Sequence, residues 1–536
     1  MKNNDPLLID TGRGFSILYR ERYLYSNTDP EKRAIMRAEK TVLQNSTLYI
    51  LTSPLLFYGI TEIISRLPDD SHIICFELSK NLLNLSNNHI PDLLHNSKLI
   101  TVSNKTEPQD ISNTVDKLGI WNFRRVKHIN ITGGYSLYSS EYKNIINNLD
   151  NKIQEYWKNR MTLIHMGPLW IRNIFLNLFK LYHNTETLPL LAYPYIDCPI
   201  LVTGAGESLE GSIKFIKEKR DNFKILAVDT SVSVLLENGI EPDYIIAVDA
   251  QIYNFYDFMK VKNKGIPLFF DLTGYPGILP VMKGSIHPFI SNFANTKLLN
   301  RLEYYKLLPA KLPALGSVGI TAIYLALELT GERVFYTGLD FSYKIGKSHA
   351  NGSPRSLAEL VRANRLVPME QPEIYYARPL IYNRDKSGDK CITDLILTSY
   401  ADLMLKTFKQ NKRLFDIGKT GLYNGGILTN TADLIFNDEK TEEKHCKTDS
   451  SLMSINNFEE FCKNEIILLN RLYDAAYLYL SGRSKKSEIM LKLLKEVDYL
   501  YLHFPDKSPE PSIEHGFLKR ILISCGYYIK MLERYV

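Results

Sequence analysis

Apolar positions along this chain follow two rhythms. Short continuous runs of the kind a buried strand needs recur at Ser46-Thr-Leu-Tyr-Ile-Leu-Thr52, His72-Ile-Ile-Cys-Phe-Glu77, Leu99-Ile-Thr-Val-Ser103, Val126-Lys-His-Ile-Asn-Ile131 and Thr162-Leu-Ile-His165. Helix-length stretches lie between them, over 55–67 and 141–157. Residues 15–25 predict a hairpin or strand pair, and Asp29-Pro30 predicts a capped helix start. A second series of strands follows: Leu201-Val-Thr203, Lys224-Ile-Leu-Ala-Val-Asp229, Tyr244-Ile-Ile-Ala-Val-Asp249, Ile266-Pro-Leu-Phe-Phe-Asp271 and Arg333-Val-Phe-Tyr-Thr-Gly-Leu-Asp340. Strands alternating with helices predict parallel α/β sheets. Near the end, Phe461, Leu468, Leu469, Leu472, Ala476 and Leu480 keep helical spacing, closed by Gly482. Further helices are expected over 487–502 and 517–532. Tyr473, Tyr477, Tyr479, Tyr499 and Tyr501 read as packing residues of that bundle. The expected organisation is therefore an N-terminal α/β domain over 1–175, a central α/β domain over 176–435, a charged linker over 436–454 and a C-terminal helical domain over 455–536. Both α/β domains are expected to be Rossmann-like.

The central domain opens on Thr203-Gly-Ala-Gly-Glu-Ser-Leu209, which reads as strand, glycine turn and helix. Gly204 and Gly206 allow the backbone to bend and to approach a ligand. Ser208 stands where an N-cap is expected, at a helix end that favours anions. Four later strands end in aspartate: Asp229, Asp249, Asp271 and Asp340. In an open α/β sheet such strand ends line the ligand crevice, although aspartate is also a common turn starter. A second helix start, Gly316-Ser317-Val-Gly319, makes another anion-friendly N-terminus near the same edge. After Asp340 the chain turns irregular and carries Phe341, Tyr343, Lys347 and His349, in a loop of functional make. The first domain holds a fainter copy of the pattern, with 25 residues from Thr52 to Glu77 against 26 from Thr203 to Asp229. Its turn, Thr52-Ser-Pro-Leu-Leu-Phe-Tyr-Gly59, lacks the close-approach glycines and reads as structural or acceptor-binding.

Composition changes this picture little. The 536 residues are 45% hydrophobic and 23% charged, as in ordinary globular proteins. A net charge of +6 spread over this length is no nucleic-acid signature. No uncharged apolar run reaches the ~20 residues of a membrane span, and the N-terminus lacks a signal-peptide core. A cytoplasmic protein is the expectation. The six cysteines are scattered singly and read as free thiols, with no metal or redox spacing.

Gly204-Ala-Gly-Glu-Ser-Leu209 resembles the G-x-G-P-S-L turn of bacterial sialyltransferase-like glycosyltransferases. The later run, from Gly316-Ser-Val-Gly-Ile-Thr through Thr-Gly338-Leu-Asp340-Phe341, is similar to their second hallmark. In order and placement the two resemble the motility-associated factor glycosyltransferases, relatives of the hydroxymethylpterin diphosphokinase-like family. The resemblance implies transfer of a nonulosonic acid of the pseudaminic, legionaminic or sialic type. The donor would be CMP-activated, and the acceptors Ser/Thr hydroxyls of flagellin or another protein. It implies that Gly204, Ala205, Gly206, Ser208, Gly316 and Ser317 hold the nucleotide, and that Asp229 and Thr230 contact ribose or donor sugar. Gly338 and Asp340 would shape the base pocket, with Phe341 and Tyr343 near the leaving phosphate. His349 would be the general base, a role suited to an imidazole of pKa near ~6.5. No metal is obligate on this reading, though a divalent cation is compatible with it, and neither nucleic acid nor a membrane span is expected. The alternatives are an ATP- and magnesium-dependent pterin diphosphokinase, using the strand-end aspartates as ligands, and a non-enzymatic flagellin-binding factor. Glu207 departs from the pattern, standing where the family has proline. A carboxylate beside a phosphate site is unfavourable unless it points away or meets a cation.

Overall fold

The computed structural model describes residues 5–95, 99–183, 195–262, 264–344, 347–365, 378–434, 455–483 and 487–536. The expected linker over 436–454 lies outside them. The chain forms two compact units, one of Met1–His165 with Leu502–Glu510, the other of Met166–Tyr501 with Pro511–Val536.

In the first unit, strands β1 (Leu7–Asp10), β2 (Phe15–Tyr19) and β3 (Arg22–Tyr23) make a small antiparallel sheet. Strands β4 (Thr47–Thr52), β5 (His72–Phe76), β6 (Ile100–Val102) and β7 (Arg125–Ile129) form a parallel sheet in the order β6-β5-β4-β7. Alternation along β4 explains its continuous apolar run. Leu48 and Ile50 enter one core cluster, and Tyr49 and Leu51 enter another on the opposite face. The faint copy of the glycine turn has a structural role here. Ser53 donates to the buried Glu77 carboxylate at 2.6 Å, and Ser79 N–H donates to the same group at 2.8 Å. Burial raises the Glu77 pKa, against the pull of these bonds.

One expected strand is a helix. Thr162-Leu-Ile-His165 lies inside α1 (Ser139–His183), which runs through Pro168. A four-residue run with two apolar positions cannot distinguish strand from helix, and here the helical continuity on both sides decides. Asp29 also behaves differently from expectation. It stands at an N-cap position, but its side chain makes no capping bond.

The second unit is built on a sheet of nine strands, all parallel. They are β8 (Ile200–Thr203), β9 (Lys224–Val228), β10 (Tyr244–Ala247), β11 (Leu268–Asp271), β12 (Ile286–Asn292), β13 (Ala310–Pro313), β14 (Val334–Thr337), and, after an antiparallel hairpin of β15 (Leu380–Arg384) and β16 (Lys390–Asp394), β17 (Leu414–Asp416) and β18 (Ile427–Leu428). Their order is β13-β12-β11-β10-β9-β8-β14-β17-β18. Helix α2 (Ser208–Glu218) follows β8, α3 (Asp229–Glu237) follows β9, and the almost wholly apolar α4 (Val318–Leu329) leads into β14. The buried Ile320 and Ile323 of α4 pack with Val202, Leu226, Val228 and Ile246 of the sheet. The tail contributes α5 (Ile455–Leu480), α6 (Ser487–Glu496) and α7 (His515–Leu532) to the same unit. Phe461, Leu469, Leu472 and Ala476 form its buried stripe. Of the tail tyrosines, Tyr499 and Tyr501 are buried packing residues, whereas Tyr473 and Tyr477 are exposed. Among the described residues no helix is long and apolar enough to cross a membrane.

Candidate active site

Topology places the site before any side chain is considered. From β8 the chain adds strands outward through β9 to β13. It then returns to the other flank of β8 with β14. The order reverses between β8 and β14, and ligands of open α/β sheets bind beyond the carboxyl ends of the strands at such a point. Gly204 and Gly338 follow those two strands.

The two strand ends are pressed together. Gly204 N–H donates to Thr337 O and Gly206 N–H to Gly338 O, each at 2.8 Å. A Cβ on Gly204 would lie 2.2 Å from Gly338 O, and one on Gly338 would lie 2.1 Å from Gly204 O. Gly338 also has φ of +74°. Neither position accommodates a side chain, because backbone fills the space. Gly206 leaves room for a carboxylate, as its Cβ would meet Asp340 Oδ2 at 2.6 Å.

Ser208 does not cap α2. It is the first helical residue, Glu207 holds the N-cap position without a side-chain bond, and the Ser208 hydroxyl turns to Asp340. Ser208 N–H donates to the other Asp340 oxygen at 2.8 Å, and Gly338 N–H donates to Ser208 Oγ at 2.8 Å. The anion at this helix start is therefore Asp340 itself. Burial raises the Asp340 pKa to about 6, opposed by the Ser208 bonds and by Lys386. The N–H groups of Ala205 and Glu207 have no partner among the described residues. Glu207 meets a cation: its carboxylate accepts from Lys344 Nζ and from Thr420 Oγ1, each at 2.9 Å. Burial works against its charge, but these bonds and Lys347 outweigh it and lower the pKa. The residue that fits the family pattern least is thus neutralised locally.

The other expected residues gather at the same sheet edge. Ser317 is the N-cap of α4 and makes no side-chain capping bond, and Gly316 before it has φ of +68°. Gly319 leaves room for Leu339, whose Cδ2 would lie 2.4 Å from an added Cβ. That packing sets the helix start beside the Gly204–Gly338 junction. Asp229 and Thr230 open α3, tied to β8 by Ser231 Oγ, which donates to Thr203 O at 2.8 Å. Phe341 is buried in the core cluster with left-handed backbone (φ 47°), its ring 6.4 Å from Tyr400. Tyr343 exchanges backbone bonds with Ile392 of β16. The His349 loop is anchored to the glycine turn by Ala350 N–H donating to Ala205 O at 2.8 Å. His349 is half-buried, with Nδ1 2.9 Å from Ser348 Oγ.

The four strand-end aspartates divide. Asp271 is a turn former, accepting from Thr273 N–H and Oγ1 at 2.8 Å and from Ser291 N–H at 3.1 Å. Asp340 is the helix partner just described. Asp229 and Asp249 lie near each other with two neighbours that carry no sequence signal, Asn254 and Asp257. Asn254 bridges Asp229 and Asp257 through Nδ2, the latter at 3.4 Å. Burial raises the Asp229 pKa to about 6, with Asn254 and Thr230 pulling against it. Burial, then the charges of Asp229 and Asp249, push Asp257 to about 8. Asn173 and Asn177, one turn apart on α1, hold the loops after β10 and β11 through carbonyls of Ala250, Thr273, Leu272 and Gly274 at 2.8–3.1 Å. Lys386 is another such residue. Only 5% exposed, it reaches from the β15–β16 turn to Asp416. Hairpin turns with charged tips are usually solvated, so nothing in the local pattern marked it.

Asp257 gives a testable pH dependence. Its folded pKa lies above its unfolded value near ~3.9. The stability it contributes is full below that value and is lost as pH rises through about 8. Buried histidines with depressed pKa, His72 and His287, act oppositely but only below their unfolded value near ~6.5. Between pH 6.5 and 8, urea unfolding of wild type is expected to fall relative to Asp257→Asn by up to about 2 kcal/mol. Parallel curves for the two proteins would exclude a proton on Asp257 in this range.

Comparison with known proteins bears on this geometry. Residues 172–346, which include the glycine turn, the Ser317 helix start and Asp340, match the family model described as 6-hydroxymethylpterin diphosphokinase MptE-like. The chain is 28% identical over 557 residues to an uncharacterized protein of Treponema pallidum (strain Nichols), covering 99% of this chain and 95% of that protein. A second uncharacterized protein of the same strain is 32% identical over 126 residues, covering 22% of this chain and 59% of that protein. Among solved structures, the MAf glycosyltransferase from Magnetospirillum magneticum AMB-1 matches with a TM-score of 0.58 at 13% identity, covering 99% of this chain and 86% of that one. The resemblance carried by the two motifs thus has a structural counterpart: the chain has the fold of this MAf glycosyltransferase, with an MptE-like central region.

Proposed function

We propose that this protein is a glycosyltransferase that moves a nonulosonic acid from a CMP-activated donor to Ser/Thr hydroxyls of flagellin or another protein. The observation that carries the reading is convergence at the β8–β14 switch point. A glycine turn with two N–H groups unpartnered among the described residues, a helix start at Ser317 without a side-chain cap, and the His349 loop all meet there. In the reaction His349 takes the proton of the acceptor hydroxyl, whose oxygen forms the new bond to the anomeric carbon. The bond from that carbon to the CMP phosphate oxygen breaks, and CMP leaves with the electron pair. The start of α4 and the N–H groups of Ala205 and Glu207 stabilise the departing phosphate. Asp229 and Asn254 face the hydroxyls of ribose or donor sugar.

The match over 172–346 supports a second reading, a diphosphokinase using ATP and magnesium. Against it, Asp271 and Asp340 are buried and each oxygen of both carboxylates accepts an internal hydrogen bond, which disfavours these two as magnesium ligands. A thermal-shift comparison separates the readings. CMP without metal, at ~100 times its Kd, is expected to add about 2.7 kcal/mol of apparent stability. A response to ATP with magnesium but not to CMP would replace the transferase by the kinase. No response to either would leave a non-enzymatic flagellin-binding factor.

A further inference from the structure

The first unit contains an open surface cleft, with Arg37, Lys40, Asn130 and Ser136 solvent-exposed, that the reaction above does not use. Its volume is about 480 Å³, within the range of small-molecule sites. It is lined by Arg37, Lys40, Asn130, Thr132, Tyr135 and Ser136, with Gly133 between them. Asn130 and Thr132 follow the carboxyl end of β7. In the order β6-β5-β4-β7 the sheet reverses direction between β4 and β7, so the cleft lies at this unit's own switch point.

The chemistry of the wall is one-sided. It holds two cations and no carboxylate. Arg37 uses one guanidinium nitrogen to donate to Ile131 O at 2.9 Å, which orients the planar group and leaves its other N–H donors available. The Lys40 ammonium has no partner among the described residues, its backbone N–H closing the helix end on Ala38 O. A cation in a helix's last turn ordinarily complements the helix dipole, and Arg37 has that position. Lys40 is the C-cap residue of the same helix, three positions on, so the two cations stand together at one helix end beside an aromatic wall. Tyr135 supplies that wall, its ring 4.5 Å from His128 and stacked 5.9 Å from Tyr142.

The floor is built to hold this shape. Thr132 Oγ1 donates to Ser53 O at 2.9 Å and accepts Gly134 N–H at 3.2 Å. A Cβ on Gly134 would lie 2.4 Å from the Ser53 side chain, so the loop after β7 sits directly on the turn after β4. That turn holds Ser53, Leu55 and Phe57 in left-handed backbone, at φ of 48°, 53° and 57°. Such conformations cost of order 1–3 kcal/mol each and persist where surrounding structure enforces them. Here the enforcing contacts are Ser53 to Glu77 and the Tyr25 hydroxyl to Pro54 O at 3.0 Å.

We propose that the first unit binds a small oxyanion in this cleft, a phosphate- or carboxylate-bearing molecule gripped by Arg37 and Lys40 and lying against Asn130 and the Tyr135 ring, the Thr132 and Ser136 hydroxyls being already donated to Ser53 O and Gly133 O. The proposal does not rest on the transferase reading. It is tested on the full chain by titration with inorganic phosphate, followed by phosphorus NMR, and with N-acetylneuraminic acid, followed by saturation-transfer NMR. Wild type binds at least one probe, and Arg37→Gln/Lys40→Gln weakens that binding by about tenfold or more, as expected for losing charge-assisted hydrogen bonds. Loss for phosphate assigns a phosphate-bearing ligand, and loss for the sugar acid assigns a carboxylate. Absence of binding to both probes in wild type, or equal affinity in the double variant, overturns the site. Should the double variant unfold, Lys40→Gln alone is read. It breaks no internal bond, a smaller loss in the same direction is expected, and unchanged affinity overturns the proposal.

Discussion

His349→Ala is expected to lower transfer about 10²–10⁴-fold, the range a positioned general base contributes, while leaving CMP binding unchanged. The two readouts separate because of how the loop is held. Its anchor is backbone, Ala350 N–H to Ala205 O, so removing an imidazole leaves the loop tied to the glycine turn. The groups proposed to face the nucleotide, the Ala205 and Glu207 N–H and the start of α4, lie on other segments. A pH profile adds a readout that mere loss of packing would not move. Wild-type rate rises as the imidazole loses its proton, and the variant's residual rate lacks that limb. Wild-type activity in the variant removes His349 as the base. Loss of CMP stabilisation together with activity would instead make the residue part of the nucleotide site.

How much of this could be read from residues alone depends on range. Strands of the two parallel sheets were legible because burial on both faces forces long apolar runs, as at Thr47–Thr52 and Lys224–Val228. The tail helices were legible from their apolar spacing. The run at Thr162–His165 differs from expectation because four residues, two of them apolar, are too few to show a period. The glycine turn and the Ser317 helix start were visible as local motifs, and the fold brings them to one switch point. What the glycines do was not visible. Gly204 and Gly338 are 134 positions apart, and each exists to admit the other's backbone. Ser208 is no cap for the same reason, since its partner Asp340 lies in the loop after a distant strand, β14. Aspartates at strand ends look alike in sequence, yet Asp271 closes a turn while Asp229 is buried against Asn254. Asp257, Lys386 and the Asn173–Asn177 pair carry no local signature, because their roles appear only when distant loops meet.

The helical tail is attached within its unit by a buried charge network whose disruption is expected to have the largest effect on stability. Glu465 of α5 is 1% exposed. It accepts from Arg301 Nε and Nη2, each at 2.7 Å, and from the Tyr499 hydroxyl at 2.8 Å. Arg301 also donates to Glu496 O at 2.6 Å, so one guanidinium joins the segment before β13 to both α5 and the end of α6. Glu465→Ala leaves the guanidinium and a buried phenol without their acceptor and is expected to cost about 3–5 kcal/mol, measured by urea unfolding. Glu465→Gln keeps an acceptor oxygen but loses the charge and one of the paired oxygens, so an intermediate loss is expected. The double replacement Arg301→Met/Glu465→Leu discriminates further. If the cost of the single change comes from stranding a buried charge, removing both partners restores much of it, because an apolar pair carries no desolvation cost. If the double variant is as unstable as Glu465→Ala, the bidentate geometry itself holds the tail in place, and the network specifies the packing of α5 rather than merely tolerating burial.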